Sequence, residues 1–124
     1  MLRTNDRVKV FERLNIKDAD AKEIGAPFDI IVSDVSFISL ASLSDKIASF
    51  CTKNSIFVGL IKPQFECKKG ETKNGIVVDE DVRARTINEV CDAFKGCGFE
   101  INDVIDSPIK GQHGNKEFLM LGFV

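Results

Sequence analysis

An α/β fold, in which parallel strands lead into a closing antiparallel pair, is what this 124-residue sequence predicts, and three observations carry it. Two runs, FDIIVSD (28–34) and SIFVGLI (55–61), are apolar almost throughout with no alternation, the pattern of strands covered on both faces of a parallel sheet. Between them Leu40, Leu43, Ile47 and Phe50 recur at helical spacing, which predicts a helix over 39–52 and hence a right-handed βαβ unit. The last two strand-like runs, EINDVID (100–106) and EFLMLGFV (117–124), are joined by the turn-rich SPIKGQHGN. That join is short and holds no helix, so the two strands pair antiparallel.

The other elements follow in chain order. VKVFERL (8–14) has the composition of a short strand, and DADAKEI (18–24) followed by Gly25 reads as a brief helix with a glycine C-cap. KPQFECKKGETKNGIVV (62–78) is too polar and too long for a plain connector, which marks it as a working surface. Asp79 caps a helix whose apolar face is Val82, Ile87, Val90, Cys91 and Phe94, and Gly96 with Gly98 ends it.

Composition sets limits on function. With 44% hydrophobic and 29% charged residues the chain fits one compact domain. Its 17 basic and 19 acidic residues leave a net charge of -2, so the chain as a whole does not present as a nucleic-acid binder and any basic surface is local. The cysteines at 51, 67, 91 and 97 have no metal-ligand spacing, and His113 is the lone histidine. No metal site and no disulfide framework is expected, and reduced thiols suit the cytoplasm. The longest apolar stretch falls far short of the roughly 20 residues that span a bilayer, so no membrane partner is expected.

Topology then selects candidate site residues. Ligands of open α/β sheets bind beyond the carboxyl ends of the parallel strands, where Asp34 and Lys62 stand. The antiparallel last strand begins at that edge, at Glu117. Pro63 confines the backbone of Lys62 to extended conformations, which fixes where its side chain starts.

Four segments carry a family resemblance: FDIIVSDVSFISL, LIKPQFE, NGIVVDEDVRARTI and SPIKGQHGNKEFLML, with LRTNDRV at the front also fitting. Together they resemble the TlyA or hemolysin A family, whose catalytic half is an FtsJ-like, S-adenosylmethionine-dependent ribosomal RNA 2'-O-methyltransferase. The resemblance implies that Asp34, Lys62 and Glu117 are three members of a Lys-Asp-Lys-Glu catalytic tetrad. The family's RNA-binding S4 domain, first tetrad lysine and glycine-rich cofactor loop precede the matched region. Residues 1–124 are therefore expected to form the C-terminal portion of such a domain, a truncated Rossmann-like methyltransferase sheet. Alone it is expected to bind S-adenosylmethionine poorly and to be weakly active or inactive, with no metal required.

Methyl transfer from a sulfonium to a ribose hydroxyl needs alignment and assistance to a poor nucleophile. Lys62 is expected to handle the hydroxyl by stabilising the developing alkoxide, with Asp34 and Glu117 holding the lysine. Around the cofactor the candidates are Asn15, Asp34, Val35 and Ser36. Toward RNA they are Phe37, as a stacking surface, Lys68, Lys69, Lys73 and Lys110, as phosphate contacts, and Asn115. His113 reads as a turn residue.

Two rival readings stand beside this one. A non-catalytic RNA- or protein-interaction fragment would keep the fold without chemistry, and a cofactor-binding assay separates it. A receiver-like phosphoacceptor domain also places an Asp and a Lys-Pro at strand ends, and phosphorylation by acetyl phosphate would reveal it. The family's sheet has two strands between those matching VKVFERL and FDIIVSD, and both are lacking here. Strand Phe28 to Asp34 is thus expected to be an apolar edge that Val8 to Arg13 covers or through which two chains associate.

Overall fold

The computed structural model describes residues 4–124; Leu2 and Arg3 of the LRTNDRV segment lie outside them. Strands β1 (Phe28–Ser33), β2 (Cys51–Ile61), β3 (Glu100–Asp106) and β4 (Phe118–Phe123) form one sheet in the order β1–β2–β4–β3. β1 and β2 are parallel, in register from Ile30 with Ile56 to Ser33 with Gly59. β4 lies between β2 and β3 and is antiparallel to both, as the helix-free join at 107–115 predicts. A phosphoacceptor receiver is all parallel, so this arrangement excludes that reading.

The core lies on one face of the sheet. Phe57 and Ile61 of β2 and Met120 of β4 point to that face and are fully buried. The helix α4 (Glu80–Gly96) lies over them with Val90, Cys91 and Phe94. Asp79 caps this helix through a side-chain bond to the Asp81 amide, and Gly98, at φ 96, lets the chain turn back into β3. Phe57 and Phe94 stack at 5.0 Å, and Phe99 meets both rings edge-on. Each buried ring contributes about 2–3 kcal/mol through apolar area. Leu40, Leu43 and Ile47 close the cluster from the chain between β1 and β2.

That crossover is shorter than its periodicity predicts. A 3-10 turn, Ala41–Leu43, leads into α2 (Ser44–Ala48), and the chain is already in β2 at Cys51. Parallel pairing overrides helical spacing here: Phe28 N donates to Phe50 O, and Ser55 Oγ joins the two strands by donating to Phe28 O while accepting from Thr52 N. Residues 51–54 are thereby drawn into the strand. Near the front, a 3-10 turn at Ile16–Asp18 and α1 (Ala21–Ile24) replace one helix over 18–24, and Gly25 is the left-handed C-cap expected.

Two further expectations need correction. VKVFERL is not a strand: residues 8–14 are turn and irregular chain, Arg13 takes a left-handed φ of 58 that breaks any extended run, and Val10, Phe11 and Leu14 are exposed. It does not cover β1. Nor is β1 covered on both faces, because Ile30 is 65% and Val32 74% exposed. β1 pairs on one side with β2, and among the described residues no strand takes its outer edge.

Candidate functional site

Asp34 and Lys62 directly follow Ser33 and Ile61, the last residues of the parallel pair, so both stand at one rim of the sheet. Ile61 faces Phe118 in the antiparallel register, and Glu117 precedes Phe118, which brings it to the same rim. Here the chain leaves β2 sharply. Lys62 is extended (φ -117, ψ 96), and Pro63 opens the one-turn helix α3 (Pro63–Glu66), a helix start that the polar loop reading passed over.

The lysine is fixed by two oxygens. Its Nζ lies 2.6 Å from Asp34 Oδ1 and donates to Ser36 Oγ at 3.0 Å. The Lys62 side chain is 11% exposed and that of Asp34 69%, so the pair has a protein side and a solvent side. Glu117 is 7% exposed, and its Oε2 accepts from Gln64 Nε2 at 2.9 Å. The geometry thus separates the two carboxylates. Asp34 holds Lys62 directly; Glu117 is tied to the segment after Lys62 through Gln64. All four line one cleft of about 520 Å³, with Ser36 and Lys110 also on its walls. That volume lies within the usual range of small-ligand sites.

Sequence reading missed Gln64; Gly111 is glycine for a steric reason. A Cβ at Gly111 would stand 1.9 Å from Glu117 Oε2, so the carboxylate occupies the space a side chain would need. The turn is held by Gly111 N donating to Asn115 O and Gly114 N to Gly111 O. A glycine six residues before an acid, in a turn-rich loop, was the available signal.

The other candidates divide by position. Phe37 is 81% exposed, has a left-handed φ of 62, and sets its ring 5.0 Å from that of Phe65. Both rings border a second hollow of about 240 Å³ with Thr72, His113 and Asn115, adjoining the first through Gln64 and Phe65. Asn115 is buried, and its amide bonds to backbone, accepting from Val77 N and donating to Gly75 O. It staples the 107–117 loop to the 67–78 loop. Lys68, Lys69, Lys73 and Lys110 are exposed. The loop bearing the first three is anchored by Glu71, which Arg85 of α4 grips with both terminal nitrogens. That guanidinium holds the Glu71 carboxyl down at about 2. His113 sits in a turn at φ 59.

Of the residues expected around a cofactor, Asp34 and Ser36 line the cleft. Val35 packs against the core, and Asn15 accepts from Lys17 N in its own turn. The residues present therefore fit one flank of S-adenosylmethionine, a carboxylate and a hydroxyl beyond a strand end. Among the described residues, no group of three or more His, Cys, Asp or Glu side chains is placed to hold a metal ion. The four cysteines are unpaired thiols, and burial pushes those of Cys51, Cys67 and Cys91 up. No described helix is long and apolar enough to cross a membrane.

The chain is similar to several known proteins. The family described as FtsJ-like methyltransferase matches over residues 1–123. The 16S/23S rRNA (cytidine-2'-O)-methyltransferase TlyA of Mycobacterium tuberculosis is 36% identical over 120 residues, covering 96% of this chain and 45% of that protein. Hemolysin A of Brachyspira hyodysenteriae is 40% identical over 121 residues, covering 95% of this chain and 50% of its own length. Among solved structures, a Lactococcus lactis protein described as a hemolysin superposes with a TM-score of 0.92 at 35% identity, over 98% of this chain and 59% of that one. A Streptococcus thermophilus counterpart gives 0.93 at 32%, over 98% and 45%. The chain spans about half the length of the curated relatives it matches. With the family pattern running through nearly every residue, the chain belongs to the FtsJ-like methyltransferases.

Proposed function

We propose that this chain supplies the hydroxyl-handling part of a ribosomal RNA 2'-O-methyltransferase, corresponding to the C-terminal portion of the catalytic domain. The observation that carries the reading is the Lys62 ammonium, held by Asp34 and Ser36 at the lip of a cleft that Glu117 shares. FtsJ-like methyltransferases use S-adenosylmethionine, which supplies an electrophilic methyl group when bound. Asp34 and Ser36 would border it. The hydroxyl's side of the reaction falls to this chain's own side chains.

A ribose 2'-hydroxyl entering the cleft meets Lys62 Nζ as a donor. As the oxygen attacks, negative charge grows on it, and a pre-placed ammonium stabilises that charge without reorganising. Asp34 and Ser36 occupy two directions around Nζ and so aim the remaining donor at the cleft. Glu117, steadied by Gln64 and backed by Gly111, presents a carboxylate oxygen for the hydroxyl proton or for a neighbouring ribose hydroxyl. Phe37 offers a stacking face for a base beside the cleft, and Lys68, Lys69, Lys73 and Lys110 offer phosphate contacts. Asn115 shapes the loop under Glu117.

The rest of the reading concerns partners. Ribosomal RNA is the substrate, the cytoplasm the place of action, and the open edge of β1 a surface through which copies of this chain associate. The cofactor is proposed to bind weakly to these 124 residues alone, since of the residues expected around it only Asp34 and Ser36 line the cleft. Isothermal calorimetry with S-adenosylmethionine tests that point, and micromolar affinity would contradict it. The non-catalytic alternative predicts that Lys62 and Glu117 can be replaced without affecting RNA or protein binding, whereas the enzyme reading predicts loss of methyl transfer.

A further inference from the structure

Glu66 is a half-buried carboxylate for which the proposed chemistry has no use. It belongs to α3, four residues after Lys62, and three donors from the far side of the site converge on it. Ser39 Oγ donates to Oε1 at 2.6 Å, the Leu40 amide donates to Oε2, and the Ala41 amide approaches Oε1 at 3.4 Å. No basic side chain pairs with Glu66 among the described ion pairs. Burial pushes its carboxyl up, and the three donors only partly oppose this. A carboxylate kept in such a place serves geometry.

Glu66 lies at the end of a ladder between two chain segments. The first runs from Asp34 to Ala41 and the second from Lys62 to Glu66. At one end Lys62 joins Asp34 and Ser36. In the middle the Phe37 and Phe65 rings meet. At the other end Glu66 grips Ser39, Leu40 and Ala41. Phe37, between the outer rungs, holds a left-handed backbone that a phenylalanine adopts only when its surroundings impose it. Free of the Glu66 rung, residues 34–38 could relax, and the Lys62 pair would lose its setting.

We infer that Glu66 is a positioning residue, fixing the loop that bears Asp34, Ser36 and Phe37 against the segment that bears Lys62. The inference rests on the reading of Lys62 as the hydroxyl-handling group. Two oxygens are needed to take three donors. Glutamine offers one acceptor oxygen and turns an amide NH₂ toward backbone N–H groups, and aspartate falls a methylene short.

Nuclear magnetic resonance of the 124-residue chain tests this without requiring turnover, so failure of the functional reading would not be mistaken for failure here. In Glu66→Gln, core amides such as Val90, Phe94 and Met120 should keep their positions. The amides of Asp34, Ser36 and Phe37 should shift as much as those of Leu40 and Ala41, and the Lys62 ammonium protons should exchange with water several-fold faster. Changes confined to Leu40 and Ala41, with the Lys62 signal unmoved, would reduce Glu66 to a local helix cap and overturn the inference. Should Glu66→Gln not fold, Ser39→Ala removes one donor from the same grip. It should move Phe37, Ser36 and Lys62 in the same sense by less, and their immobility would be equally decisive.

Discussion

Gly111→Ala is the smallest change that should disable the site. The added methyl would meet Glu117 Oε2 at 1.9 Å and its carboxyl carbon at 2.4 Å, distances no carbon tolerates. The backbone cannot easily yield, because Gly111 N is bonded to Asn115 O and Asn115 is itself pinned to the 75–77 segment. The carboxylate must move instead, breaking its bond from Gln64. A lost hydrogen bond to a charged, buried group costs about 1.5–3 kcal/mol. Taking about 2 kcal/mol, thermal unfolding should fall by about 8 °C for a domain of this size. Gly96→Ala is the matched control: no atom lies within 4 Å of its added carbon and it ends a helix, so stability should hold or rise slightly. Circular dichroism melts of the three proteins decide the matter. If Gly111→Ala melts with the parent, Glu117 does not sit where this account needs it.

Within a full-length, active enzyme, Lys62→Ala should lower ribose methylation by roughly 10²-fold or more while leaving the protein folded, since the partner left behind, Asp34, is mostly exposed to water; a radiolabelled methyl-transfer assay alongside a melt reads both. Arg85 holds Glu71 with a carboxyl pKa of about 2, below its ordinary value, so the pair's stabilisation is complete above the ordinary carboxylate range and is lost as pH falls toward 2. Loop amides at 68–76 should therefore stay protected from exchange at pH 4 in the parent and lose protection at neutral pH in Arg85→Ala. Light scattering should show a concentration-dependent dimer for the parent and a monomer for the Ile30→Lys, Val32→Lys double variant; a parent monomeric at millimolar concentration would remove β1 as an association surface.

What the sequence made legible follows from where local and tertiary signals agree. α4 was readable because its cap, its apolar face and its terminal glycines all say the same thing; Val82, Val90, Cys91 and Phe94 are buried as expected, while Ile87 is half-buried and Arg83 and Thr86 are buried beside them. The rim of Asp34, Lys62 and Glu117 was readable because strand direction alone brings strand ends together. Other features depend on partners that a local pattern does not reveal. VKVFERL has strand composition, but a strand needs a neighbour, and among the described residues it has none. Ile30 and Val32 look like buried positions, yet nothing in the described chain covers them. Phe50 sits at helical spacing after Ile47 but is claimed by pairing with Phe28. Gln64 and Glu66 carry no signal in themselves; their importance comes from reaching Glu117 and Ser39, distant in sequence.

The central claim, that this chain's own rim carries out ribose 2'-O-methyl transfer, is tested most directly by exchange. Residues 1–124 replace the matched segment of the Mycobacterium tuberculosis relative, and methyl incorporation into the cytidine 2'-hydroxyl of ribosomal RNA is measured with Lys62 present and with Lys62→Ala. The account predicts a methylating chimera whose Lys62→Ala form loses at least about 10²-fold in rate. A folded, cofactor-binding chimera that transfers no methyl, or one whose Lys62→Ala form keeps the parental rate, would contradict it.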